Sequence, residues 1–410
     1  MNKFVLGCFT LLLLISVSLP LYGQRSLRTV LPKSRELSRY GLERHWWSQA
    51  TLNPRRDTVS HFQTDEDLVY VQSTAGLLTV LNAETGRKQW AIQLGFTDRP
   101  SYPVTSNQKL VLVASGMELY AFYKWSGKIA WKIHLPKHPS TRPTMDDENV
   151  YIGTLDGSVY AFRLRTIHKL YDENRLPQWS HLTMLWRYKT PKEITTPPIS
   201  DGLVVSFASM SGSLYSVNAY NRKLKFQMET NKPISAPMSQ SGKYLFMASE
   251  DYVLYCINMR NGQSRWEFVS GYRVRKEPWL IEKDVYLTPV QGGLFRLSIE
   301  TGKQKWRQAK ATDFLCATPQ RVYASDAQGN MLILNRKNGG VIGSLPYRGF
   351  SKRINNNRTD RLFLATPSGL IVCIKEKQIE YPFYYKFPEH RPILPSLAPE
   401  EEKAKEEEDE

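Results

Sequence analysis

The chain has 410 residues, 41% hydrophobic and 23% charged, with a formal charge of +16. That composition excludes a chain disordered throughout and leaves room for one large repeat domain or two to three smaller ones. The spread of 24 Gly, 24 Pro, 10 Trp and 22 Tyr points to many short strands joined by tight turns.

Residues 1–23 read as a secretory signal peptide: Lys3, then the apolar run Phe4 to Leu19, then Pro20 to Gly23. No later segment approaches the roughly 18 apolar residues of a membrane span, so export and at most peripheral membrane association are expected. Cys8 lies too early in the apolar run for a convincing lipoprotein box. Residues 24–41 form a basic N-terminal arm. Past the leader, Cys256, Cys316 and Cys373 are odd in number and sit inside apolar runs, which predicts buried free thiols.

From residue 42 to 387 the chain repeats. Segments such as GLLTVLNAETGRKQW and GGLFRLSIETGKQKW align on Leu78, Leu119, Val159, Leu214, Leu254, Leu294, Met331 and Ile371, spaced about 40 residues apart except for one interval of 55. Each unit holds four strands, with period-two alternation in the LYAL-type run and a glycine turn. A four-stranded sheet cannot bury both faces alone. Eight such units must therefore stack face to face and close into a ring, an all-β, eight-bladed β-propeller of four-stranded antiparallel blades. A tryptophan ends the unit at Trp90, Trp131, Trp186, Trp266 and Trp306, with Phe226 in one unit and a lapse at Gly343. The eighth unit lacks its outer strand, and Leu42 to Gln49 can supply it, bringing Trp47 as the missing docking tryptophan and closing the ring through the N-terminal strand.

These residues resemble the tryptophan-docking repeat of the pyrroloquinoline-quinone (PQQ) propeller superfamily over about residues 43 to 376. Size, leader and a single bare ring are most similar to its BamB-like, non-enzymatic members, which implies a scaffold in the cell envelope. The superfamily also contains quinoprotein dehydrogenases. The larger alcohol dehydrogenases among them carry an adjacent Cys-Cys pair and a calcium held by several oxygens, whereas this chain has no Cys-Cys. No catalytic, cofactor-binding or metal residues are therefore expected. His134 and His138 are separated by Pro136, which breaks the helix a paired metal site would need. The alternatives are a PQQ-dependent oxidoreductase and a sensor of an anionic envelope polymer.

Charge supplies the candidate binding site. Residues 400–410 hold eight acids and two lysines, a net −6, so residues 1–399 carry +22. Connections from each outer strand to the next inner strand gather at one channel mouth and carry Arg55, Arg56, Arg99, Arg142, Arg273, Arg275, Lys276, Lys352 and Arg353. A cationic annulus there would steer an envelope protein, an anionic polymer or an acidic segment to the mouth. Nucleic acid is not expected as a partner of an exported protein, and the ring is expected to be monomeric.

Three irregularities complete the reading. The 55-residue interval places an insertion within Arg163 to Thr183, whose Ile167, Leu170, Tyr171, Leu176 and Trp179 need cover from the ring or a partner. Arg296 occupies a position filled elsewhere by Val80, Ala121, Ala161, Ser216, Cys256, Ile333 and Cys373, and requires a countercharge or water. Residues 388–410 are Pro-rich and then acidic, a disordered composition; that tail can fold back on the basic mouth.

Overall fold

A computed structural model describes residues 31–95 and 99–386. The leader, the start of the basic arm and the acidic tail lie outside the described residues.

Alternating apolar runs pair through short turns into eight antiparallel sheets of four strands. Blade 1 comprises Val59–Thr64, Leu68–Ser73, Leu77–Asn82 and Lys88–Gln93, and blades 2 to 7 repeat that order along the chain. Blade 8 takes three strands from the C-terminal end, Lys352–Arg353, Leu362–Ala365 and Leu370–Glu376. Its outer strand, Leu42–Gln49, comes from the N-terminal end. The expected closure is thus present, and it leaves the ring without an open sheet edge between the chain ends. The second and third strands of each blade are buried on both faces, and the core runs as successive clusters between neighbouring blades.

Docking explains the tryptophan repeat. Trp90, Trp186, Trp266 and Trp306 each reach into the next blade and donate the indole N–H to a carbonyl in its third-to-fourth-strand turn: Lys124, Ala219, Ile299 and Arg336, at 2.7–3.0 Å. In blade 8 the docking residue is Trp46, not Trp47. A β-bulge between Arg44 and Trp46 advances the strand by one residue, so Trp46 pairs with Cys373 just as Trp90 pairs with Val80. Trp46 donates to the Ala83 carbonyl at 2.8 Å, whereas Trp47 is 54% exposed. The receiving turn needs its glycine: Gly86 has φ +69°, and a Cβ there would sit inside the Trp46 ring.

Each lapse in the repeat has a local substitute. Where Phe226 replaces tryptophan, the waiting carbonyl of Met259 is taken by the Ser216 hydroxyl at 2.6 Å. At Gly343 the vacated space holds the ring of Tyr40. The end of the expected arm is therefore built into the ring: a short helix, Ser34–Ser38, buries Leu37 against Leu315, Leu345 and Leu362. Trp131 is fully buried, but its N–H finds no acceptor among the described residues. The insertion has replaced the turn that would have offered one. It forms a helix, Leu164–Asp172, and a single 3-10 turn, Ser180–Thr183. Leu164, Ile167 and Leu170 turn inward, and Leu176 packs beside them. Tyr171 and Trp179 stay more than 40% exposed. The expected cover thus comes from the ring for part of the set only.

The three cysteines are fully buried in three separate blades, as expected, and burial pushes each thiol upward, that of Cys256 to about 11. Arg296 has its countercharge: it donates to the Asp284 carboxylate at 2.6 Å and to the Arg336 carbonyl that also accepts from Trp306. Lys305 and Arg336 converge on the same Asp284 at 2.6 and 3.0 Å. Burial alone would raise that carboxyl, but hydrogen bonds from the three cations outweigh it and hold Asp284 below the usual carboxylate range.

Candidate functional site: the channel and its basic mouth

Antiparallel blades place every connection from outer to inner strand at the same end of the channel, so the nine basic residues share one face. They do not form a continuous annulus, because acids on the same loops answer several of them. Arg275 pairs with Glu250 at 3.0 Å and Lys276 with Asp313 at 3.0 Å. Arg142 faces Glu277 at 4.0 Å. Arg353 is half-buried and donates to the carbonyls of Phe350, Tyr347 and Gly329, with burial lowering its pKa. Lys352 is half-buried too, and Arg99 lies exposed at the rim. The strongest outward positive charge comes from Arg55, Arg56 and Arg273, all exposed.

Behind the mouth lies a channel cavity of about 740 Å³. Its wall is made by the short inner strands, which present small hydroxyl side chains such as Thr105, Ser106, Thr144, Ser200 and Ser239. Arg142 and Arg353 reach in from the mouth. Most of these hydroxyls are engaged within the wall: Thr105 donates to the Pro143 carbonyl, Ser106 and Ser200 to the carboxylates of Asp65 and Asp146, and Ser239 to the Pro278 carbonyl, each at 2.6 Å.

The floor is the feature that the sequence reading missed. After the last strand the chain does not leave the ring: residues 377–386 cross from the rim to the axis as a strap. Arg361 donates to the Glu380 carbonyl at 3.0 Å, the Phe383 amide donates to Asp360 at 3.1 Å, and Tyr384 bridges Thr359. The Tyr385 amide donates to the Arg358 carbonyl and its hydroxyl to that of Ala317, at 2.9 and 2.8 Å. Tyr385 and Lys386 then line the channel cavity itself. The aromatic density of Tyr381-Pro-Phe-Tyr-Tyr385, between the last strand and the Pro-rich tail, was the available signal.

Charges beneath the strap are buried and paired. Arg361 is fully buried and holds Glu84 through two hydrogen bonds of 3.1 Å, while Arg358 pairs with Glu66 at 2.9 Å. Arg358 foremost, then burial and Arg142, push the Lys386 ammonium down to about 8, against the pull of Glu66 and Glu277. Asp360 is raised to about 6 because burial outweighs the attraction of Arg361. The folded chain therefore keeps a proton on Asp360 where the unfolded chain has lost it. This contribution favours folding at low pH and fades as pH rises from about 4 through 6. Asp360→Asn should accordingly gain stability relative to the parent between pH 4 and 7. Paired urea unfolding curves across that range check it; a constant difference would remove Asp360 as the source.

The residues lining the channel do not converge on a hard cation. Hard cations need several convergent oxygens, and the two carboxylates lining the channel, Glu277 and Glu282, are directed at Arg142 and Arg336. Among the described residues, no group of three or more His, Cys, Asp or Glu could hold a metal ion. No helix among them is long and apolar enough to cross a membrane.

Comparison with known proteins agrees with this architecture. No curated protein matches the chain by sequence. The structure is similar to that of BamB from Moraxella catarrhalis, at 15% identity and a TM-score of 0.62, covering 83% of this chain and 99% of that one. It is also similar to the computationally designed Ika8 protein, at 12% identity and a TM-score of 0.61, covering 80% and 99%. Identities this low speak for the fold alone. Residues 94–221 and 200–378 match the family described as outer membrane protein assembly factor BamB. Those matches span most of the ring, from the end of blade 1 through the last strand of blade 8, and the chain belongs to the BamB family of PQQ-type β-propellers.

Proposed function

We propose that this protein is a non-catalytic interaction scaffold of the periplasm or cell envelope, serving outer-membrane protein assembly or a similar complex. The observation that carries the reading is the family match across seven blades, on a ring whose frame is fixed by docked, hydrogen-bonded indoles at five of its eight blade junctions. Such a frame holds its loops at set distances from one another. That suits presentation of several loops to one partner surface, since little ordering entropy is then lost on binding. The exposed Arg55, Arg56 and Arg273 give the mouth an electrostatic preference for acidic surfaces, in a salt-dependent way.

Affinity capture from solubilised envelope, with the parent ring and with Arg55→Glu, Arg56→Glu and Arg273→Glu combined, tests the proposal. The expected result is specific capture of an outer-membrane assembly protein at low salt, lost in the triple variant. Capture of nothing, together with quinone-dependent dye reduction by the purified chain, would replace this reading with the oxidoreductase one.

A further inference from the structure

The strap ends inside the channel. Lys386 lines the same cavity as Arg142 and Arg353, so the remaining chain starts at the axis with the basic mouth ahead of it. The next thirteen residues, Phe387 to Pro399, contain four prolines, and the acidic run Glu400 to Glu410 follows with a net charge of −6.

Length decides where those acids can go. Proline-rich chain extends about 3.1 Å per residue, so the spacer reaches roughly 40 Å. The channel is about 20 Å long, the height of a six-residue strand. The outer route crosses four strands outward, climbs the blade and crosses four strands back, roughly 50 Å at strand spacings near 4.8 Å. The spacer therefore delivers the whole acidic run to the far mouth through the channel with length to spare, whereas around the outside the first acids of the run would be spent on the way. Charge agrees with length, because the net −6 run would meet Arg55, Arg56 and Arg273.

We propose that the C-terminal tail threads the central channel and lays Glu400–Glu410 against the basic mouth, so that the chain is the first occupant of its own binding surface. The Pro-rich spacer fills the hydroxyl-lined bore. Arg142 stands in that bore, 4.0 Å from Glu277. The lowered pKa of Lys386 marks the same positive field at the channel floor. A tethered ligand of this kind works at an effective concentration near the millimolar range, so even a weak contact is largely occupied. An external acidic partner then binds by displacing the tail. The inference does not rest on the envelope reading, since it concerns the chain alone.

Fluorescence anisotropy of a labelled peptide spanning residues 399–410 tests it with no partner present. The receptors are the full chain, a chain ending at Pro399, and a chain lacking residues 389–398. The peptide should bind the Pro399-terminated chain at low salt, and the full chain about tenfold or more less tightly, because the site is already filled. In the chain lacking 389–398 the shortened spacer spans only about 10 Å. The first acids of its tail then stay inside the channel and only part of the run reaches the mouth, so the peptide should bind more tightly than it does to the full chain. Arg55→Glu, Arg56→Glu and Arg273→Glu, all exposed and away from the core, should together abolish binding without changing the melting temperature. Equal affinity for the full and Pro399-terminated chains, absence of binding to either, or binding that ignores the three reversals overturns the proposal. A 389–398 deletion that blocks the peptide as well as the full chain does overturns the route through the channel.

Discussion

Trp46→Ala should lower the unfolding free energy by about 3–5 kcal/mol, the usual cost of truncating a buried tryptophan, whereas Trp47→Ala should stay within about 0.5 kcal/mol of the parent. The two residues are adjacent and chemically identical, so the contrast isolates the phase of the N-terminal strand. Trp46 fills the space over Gly86 and bonds the Ala83 carbonyl; Trp47 faces water. Loss at Trp46 also weakens the blade made from both ends of the ring, and a typical domain has about 5–15 kcal/mol of stability in total. Urea unfolding followed by fluorescence measures both variants. The reverse order, with Trp47→Ala the costly change, would mean that the bulge is absent and the strand is shifted by one residue.

Asp284→Ala should cost about 3–5 kcal/mol, because it leaves the buried guanidinium groups of Arg296 and Arg336 without their shared anion. The cause is uncompensated charge, and that can be separated from lost packing. Blade 7 has Ile333 at the position corresponding to Arg296. Adding Arg296→Ile to Asp284→Ala should therefore recover part of the loss, since one stranded cation is gone and an isoleucine already fits the equivalent site. A double variant no more stable than Asp284→Ala would show that the carboxylate acts through something other than neutralising Arg296.

Blade 2 offers a smaller contrast. Trp131 has no hydrogen-bond acceptor among the described residues, so Trp131→Phe should be milder than Trp306→Phe by about 1 kcal/mol, the worth of one intramolecular hydrogen bond.

Much of the architecture was legible because the signals are local. Period-two alternation and turn glycines repeat at a fixed interval, and each unit exposes apolar faces that only a neighbour can cover. The burial of the cysteines and the need of Arg296 for a countercharge followed from side-chain chemistry alone. The docking residue of blade 8 did not follow, because a single-residue bulge reverses which of two adjacent tryptophans faces the core. The insertion concealed a helix whose inward positions make sense only once the blade beneath it is in place. The basic mouth was located by topology, but its apparent annulus was thinned by Glu250, Glu277 and Asp313, whose pairing depends on loops brought together by the ring.

The sequence by itself determined the repeat, the number of strands per blade and the need for closure, since these depend on residues within a few positions of one another. Only the tertiary structure decided the strap across the channel floor and the buried pair of Arg361 with Glu84. The partners of those contacts lie far apart in the chain, and no local pattern records a meeting that ring closure alone brings about.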